Sequence, residues 1–265
     1  RRNIQEHYDL SNEMYATFLD PTLTYSSGIF EESTDTLHDA QLRKLDRLID
    51  SLNVKPSDHV LEIGSGWGSC AIRLAQRTGC RVTSVTLSER QAEEARGRVV
   101  AAGLSDRVEI RIQDYRDVPE YFDHAVSVEM IEAVGREFLA GYFRKISDSL
   151  KPGGRSVLQA ITIPDERYQS YSRSCDWIQK HIFPGGHLPS PGAIRRHAEG
   201  DAGLRLQESH CFGRDYAETL RRWQQSFLGR EQEVETLGFD AAFRRKWNYY
   251  FAYCIAGFEN GLIDV

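Results

Sequence analysis

Residues 60–91, VLEIGSGWGSCAIRLAQRTGCRVTSVTLSERQ, constrain the fold of this chain more than any other stretch. A short apolar, β-branched run (60–63) ends in Gly64, Gly66 and Gly68, and a helical pattern carried by Ala71, Ile72, Leu74 and Ala75 starts at once. This is strand, tight turn, helix. The turn needs glycine because the backbone folds sharply and brings its amides close to a ligand, where a helix N-terminus also favours polar or anionic groups. Such a turn by itself also fits a plain strand-to-helix connection or a dinucleotide site. The flanks decide: Gly68 follows Gly66 by two residues, and the second strand ends in Val85-Thr86-Leu87-Ser88 without the acidic residue of a dinucleotide fingerprint. Glu62, just before the turn, stands where a carboxylate meets an amino or ribose group.

The string resembles motifs I and II of S-adenosylmethionine-dependent methyltransferases. Its TLSERQ continuation is similar to the cyclopropane-fatty-acyl-phospholipid synthase family, and the YSSGIF, MIEAVG and LQAITIP variants resemble the subgroup that includes plant cyclopropane synthase C-terminal domains and some bacterial relatives that install a methyl branch instead. The HYDLSN and FLDPTLTYSS strings resemble that family's N-terminal cap, and the likeness runs from His7 to Asp264. It implies a site for S-adenosylmethionine made of Tyr25 and Ser26 in the cap, Glu62, Gly64, Gly66 and Trp67 at the first turn, and Thr86, Leu87 and Gln91 after the second strand. Asp114 and Tyr115 complete it after the third. Thr86 and Gln91 then replace the usual ribose-binding acid, and Asp114 meets the adenine amino group.

Strand patterns at 58–63, 81–86, 107–113, 122–129 and 156–163 alternate with helical patterns at 34–52, 88–102 and 138–150. That alternation predicts an α/β, Rossmann-like, mostly parallel doubly wound sheet, with ligands beyond the strand C-terminal ends. A sixth strand is expected at 204–211, helices at 216–237 and 241–257, and a seventh strand is expected to be missing or incomplete at residue 265. One catalytic domain over 1–265 follows, divided into a helical cap (1–55), a cofactor-binding core (56–163), and an acyl-substrate insertion with C-terminal helices (164–265). The start at Arg1 suggests that a preceding region of a longer polypeptide is absent.

A net charge of −6 argues against a nucleic-acid binder driven by phosphate neutralisation. No apolar run reaches the roughly 20 residues of a membrane span. Five cysteines without a C-x-x-C pair indicate neither a disulfide framework nor a metal site. A cytoplasmic protein peripheral to the membrane is expected, with a homodimer left open. Membrane contact would fall on the 164–190 insertion or on the basic helices carrying Arg221, Arg222, Arg244, Arg245 and Lys246.

Methylating an alkene makes a carbocation that must be shielded from water, stabilised, and quenched by proton removal. The resemblance implies that the base is a bound bicarbonate ion. Glu132 in EMIEAVG, Tyr216, Cys254 and the backbone of Ser27 match the positions that hold it. Two positions depart: Gln159 stands in Leu158-Gln159-Ala160-Ile161 where many members have histidine, and Ala133 replaces another histidine. Gln159 still donates a hydrogen bond but carries no charge. On residues alone, Glu132 also reads as a helix-start carboxylate, Tyr216 as a buried helix tyrosine and Cys254 as a small core residue; His7 and His187 read as non-catalytic. The expected reaction adds a methylene group to the double bond of an unsaturated acyl chain, on a phospholipid, to give a cyclopropane. The rivals are a C-methyltransferase giving a methyl-branched or methylene fatty acid or a modified specialised metabolite, and a non-catalytic module of the same fold.

Overall fold

The computed structural model describes residues 11–265, so His7 and the first part of the expected 1–55 cap lie outside the described residues. Five parallel strands form the sheet: β1 (His59–Ile63), β2 (Arg81–Thr86), β3 (Val108–Ile112), β4 (Phe122–Val128) and β5 (Leu150–Gln159), in the order β3-β2-β1-β4-β5. The expected parallel, doubly wound sheet is present. The order reverses between β1 and β4, which pair directly, so a crevice opens beyond their C-terminal ends.

Both faces of the sheet are covered. After a short first helix, α1 (Asn12–Ala16), one face carries α2 (Leu37–Leu52), α3 (Ser69–Thr78) and α4 (Glu89–Ala101), packed through Leu45, Ile49, Leu74, Ala92 and Ala95. On the other, α5 (Leu139–Ser149) buries Leu139, Tyr142, Phe143 and Ile146 against Leu61, Ile63 and Phe122. Burial on two faces explains why β2 reads RVTSVT with five consecutive buried residues. A Thr36–Asp39 capping box starts α2, and Asn53 ends it in the left-handed region at φ 55°.

A third, aromatic core lies beyond the sheet. α9 (Gly213–Gly229) and α11 (Ala241–Glu259) pack through Trp223, Phe227, Trp247 and Phe251 with Met14 and Tyr15 of α1 and with Phe18 just after it, and Trp67 of the glycine turn joins the same cluster. Phe18 and Phe251 meet edge-on at 5.5 Å. Truncating one of these buried rings to alanine costs about 3–5 kcal/mol. The cap and the C-terminal helices are thereby fastened together over the glycine turn.

Several expected boundaries are corrected. β5 begins at Leu150 rather than 156; the Pro-Gly-Gly run at 152–154 does not end the preceding element cleanly but makes an irregularity in register, with Phe122 opposite Leu150 and His124 opposite Arg155. The sixth strand expected at 204–211 has no sheet partner. Its alternation rests on Leu204 and Leu206 among polar residues, and Leu206 is 42% exposed, too little apolar burial to hold a strand in place. The helix expected at 216–237 is broken at Gly229 and resumes as α10 (Glu231–Thr236). The insertion folds into α6 (Asp165–Tyr171) and α7 (Trp177–His181), followed by α8 (Pro191–Arg195) and a π-helical turn (Arg196–Asp201) that the sequence pattern did not reveal. At the end of the chain, Asp264 makes one antiparallel bridge to Thr162.

Candidate active site

Beyond β1, Gly64, Gly66 and Gly68 all take positive φ (97°, 49° and 87°). A side chain at Gly64 would press on Met130, and one at Gly68 on Ala95, whereas a Cβ at Gly66 would meet nothing within 4 Å. The turn therefore needs glycine for backbone conformation throughout, and over Gly66 it is open. Trp67 is buried and its Nε1 donates to Asn12 Oδ1 at 2.8 Å, which ties the cap to the turn. At the end of β2, Thr86 Oγ1 donates to Gln91 Oε1 at 3.1 Å beside Leu87, and Ser88 caps α4. At the end of β3, Asp114 is 4% exposed, pairs with Arg116 (Oδ2 to Nη2, 2.6 Å) and precedes Tyr115. The residues present fit S-adenosylmethionine: a small-residue turn at a helix N-terminus, with polar and acidic groups at the ends of three neighbouring strands.

Glu62, expected to meet an amino or ribose group, is buried at the end of β1. It lies within the sheet, accepting a hydrogen bond from Ser84 Oγ, and burial pushes its pKa up to about 7. Glu62 is linked to the turn through Ser84, whose Oγ lies 2.6 Å from Ser65 Oγ and accepts from it when its own proton goes to Glu62.

A cavity of ≈ 740 Å³ is lined by Tyr25, Glu129, Glu132 and Tyr216 and by residues of α6, α7 and α11, Cys254 of α11 among them. Glu129 follows β4 in the left-handed region (φ 46°) and is clamped by three donors. Ser27 N and Gln159 Nε2 donate to Oε1 at 3.0 and 2.7 Å, and the Tyr216 hydroxyl donates to Oε2 at 2.6 Å. A positive φ on a β-carbon-bearing residue is strained, and here it aims the side chain into the site.

Three of the residues expected to surround an ion, Ser27, Gln159 and Tyr216, thus converge on a carboxylate of the chain itself, which was absent from the expected site. Burial raises the Glu129 pKa, opposed by the Tyr216 hydrogen bond, the charge of Lys44 and the bonds from Ser27 and Gln159. Its signal was legible in two facts: it is the last residue of FDHAVSVE at the ligand edge, and the uncharged Gln159 and Ala133 leave a site without a charged partner.

Glu132 lies one turn further on, in a short 3-10 helix, where its Oε1 accepts the Ile161 amide. Burial, and then the neighbouring Glu129 charge, push its pKa up to about 8, so it is a neutral acid at pH 7. Its Oε2 is buried without a hydrogen-bond partner. Tyr216 stacks on Phe258 at 4.4 Å, and burial holds its hydroxyl protonated. The Cys254 thiol is likewise kept protonated by burial and makes part of the cavity wall, as does Tyr25, whose hydroxyl meets that of Tyr250 at 3.1 Å. His187 lies in the wall against Tyr168.

Residues 1–265 match the family model described as mycolic acid cyclopropane synthetase. The chain is 47% identical over 272 residues to the tuberculostearic acid methyltransferase UfaA1 of Mycobacterium tuberculosis, covering 100% of this chain and 64% of that protein. It is 36% identical over 260 residues to a cyclopropane-fatty-acyl-phospholipid synthase of Escherichia coli (strain K12), covering 96% of this chain and again 64% of the relative. It therefore spans about two-thirds of the length of these relatives. Among solved structures it is similar to the mycolic acid cyclopropane synthase CmaA1 complexed with SAH and CTAB, with a TM-score of 0.93 and 28% identity over 99% of this chain and 95% of that one.

Proposed function

Since this chain belongs to the mycolic acid cyclopropane synthetase family of S-adenosylmethionine-dependent methyltransferases, we propose that it methylates the double bond of an unsaturated fatty acyl chain and leaves a methylene branch, with Glu129 as the base. The observation that carries this reading is the Glu129 carboxylate held by Ser27 N, Gln159 Nε2 and Tyr216 Oη, the groups to which the resemblance assigns a bicarbonate ion.

The alkene attacks the sulfonium methyl; the carbon–sulfur bond breaks, S-adenosylhomocysteine leaves, and a cation forms on the adjacent carbon. The anionic Glu129 stabilises that cation, and the apolar walls with Tyr25 and Tyr216 exclude water. Direct loss of a proton from the new methyl group closes a cyclopropane. The three hydrogen bonds that its oxygens accept make Glu129 a weaker base than burial alone would leave it. Proton loss is delayed, a hydride shift moves the charge to the methyl-bearing carbon, and loss of a methyl proton to Glu129 then gives a methylene branch. Its reduction to a methyl branch would require a separate hydride donor.

The acyl chain enters from a phospholipid at a bilayer surface. Trp177 packs edge-on against Tyr249 at 4.5 Å and faces Tyr253 at 6.1 Å; Tyr249 and Tyr253 are 51% and 39% exposed, and Tyr253 also borders the cavity. Arg245 and Lys246 are exposed one turn earlier on α11. Aromatic rings with flanking cations suit an anionic lipid interface. Incubation with S-adenosylmethionine and vesicles of unsaturated phospholipid, followed by mass spectrometry and proton NMR of the released fatty acids, tests the reading. Both products gain 14 daltons; vinylidene proton signals support the branch, upfield ring protons identify the cyclopropane instead, and no mass gain on any acyl lipid overturns the substrate class.

A further inference from the structure

Helix α2 turns two polar side chains inward, Gln41 and Lys44, and both are fully buried. Gln41 Nε2 donates to the Ser26 carbonyl at 2.7 Å, and Lys44 Nζ to Ser26 Oγ at 2.5 Å. The next residue in the chain, Ser27, supplies the amide that binds Glu129. Burying an ammonium group is costly unless negative charge surrounds it, and an apolar side chain would serve the packing of α2 as well. The groups facing Lys44 are Glu129 from the end of β4, Glu62 from β1, Asp20 from the connection after α1, and the Cys70 thiol from α3. Those facing Glu129 are Lys44, Tyr216 of α9 and Glu132 of the turn after β4.

We propose that Lys44 is a positioning residue whose ammonium, fixed behind the Ser26–Ser27 backbone, keeps Glu129 anionic and so sets the base for the reaction. This rests on Glu129 acting as the base. Burial lowers the Lys44 pKa to about 8, which still leaves it charged at neutral pH. Removing the cation raises the proton affinity of Glu129, so the acid limb of activity moves to higher pH.

The test compares kcat against pH for the wild-type chain, Lys44→Met and Gln41→Met, with unsaturated phospholipid vesicles and saturating S-adenosylmethionine. Lys44→Met is expected to move the acid limb up by at least one pH unit and to lower kcat at pH 7 at least tenfold. Gln41→Met removes the other support of the same backbone but no charge, and is expected to leave the limb in place. A Lys44→Met limb that superimposes on that of the wild type overturns the proposal. A stability cycle covers poor folding of the variant: at pH 8, adding Glu129→Gln should raise the Tm of Lys44→Met by more than it changes that of the wild type, and additive shifts overturn the coupling. Asp20, Glu62 and Cys70 remain in all four proteins of the cycle, so the coupling it measures belongs to Lys44 and Glu129. Glu129→Gln that keeps normal turnover would instead remove the base assignment itself.

Discussion

Replacing Glu129 by glutamine separates the charge of this residue from its hydrogen bonds. The amide oxygen can accept from Ser27 N and Gln159 Nε2 as Oε1 does, and the amide nitrogen can donate to Tyr216 Oη, whose hydroxyl serves either role. All three hydrogen bonds have a replacement, each rearranged at a scale of about 1 kcal/mol, so a larger loss of stability reports the buried Lys44 ammonium left without the Glu129 charge. What is lost is the proton acceptor and the negative charge beside the cation. Loss of acid-base help alone lowers turnover by about 10² to 10⁴, or about 2.7–5.4 kcal/mol on the barrier. Radiolabelled methyl transfer under single-turnover conditions measures this, with calorimetry showing unchanged affinity for S-adenosylmethionine. Wild-type turnover should not respond to bicarbonate in carbonate-depleted buffer. Glu129→Gly suits the positive φ and leaves the three donors facing a space of carboxylate size, so added bicarbonate is expected to restore part of its activity. Near-normal turnover by Glu129→Gln, or strong stimulation of the wild type by bicarbonate, refutes the reasoning.

Glu132→Gln should lower kcat less than tenfold, because the acid it replaces is already neutral and its amide oxygen can still accept from Ile161 N; a loss of 10³ in the same assay would make Glu132 the base. Its folded pKa of about 8 lies above the ~4.3 of an unfolded glutamate, so the native state binds the extra proton and stability falls as pH rises between those values. Glu132→Gln should flatten that decline in Tm, and an unchanged slope would show that the group is not buried neutral. Gly66→Val should abolish S-adenosylmethionine binding with the fold retained, since it strains a φ of 49° and fills the open space over the turn; normal calorimetric affinity would place the cofactor elsewhere. In flotation at low salt the protein should rise with anionic liposomes, and Trp177→Ala with Tyr249→Ala should weaken this at least fivefold; an unaffected double variant would put the lipid contact on another face.

The sheet was legible because its signals are local. Each glycine, cap and β-branched run acts within a few residues, and β1 and β2 are buried over four and five consecutive residues by the layers on both faces. Elements outside the sheet were less legible because long-range packing decides them. The 204–211 segment has two leucines in strand-like alternation, yet the edge beyond β5 is taken by Thr162 pairing with Asp264 and by Ile163 N bonding to Pro189 O at 3.0 Å. Likewise, helical spacing runs through Gly229, and only the packing of α9 and α11 against Phe18 shows where one helix stops and another begins.

The site divides in the same way. Gly64, Gly66, Thr86, Gln91 and Asp114 follow strand ends directly, so sheet order alone brings them to one edge. Glu129 is also at a strand end, but its role depends on partners 102, 30 and 87 residues away in the chain. The departures at Gln159 and Ala133 read in isolation as a weakened anion site. With Glu129 in place they read as a consequence: a fixed carboxylate needs neutral donors around it. A histidine at 159 would pair with Glu129 as an imidazolium and give up the proton-accepting role to a salt bridge. Gln159 holds the same oxygen at 2.7 Å and leaves the negative charge uncompensated on the substrate side, with Lys44 balancing it from behind. A base of this kind cannot diffuse away between turnovers, so Glu129 must give up its proton in place before it can act again, and the neighbouring Glu132, already protonated at neutral pH, is not the group that takes it.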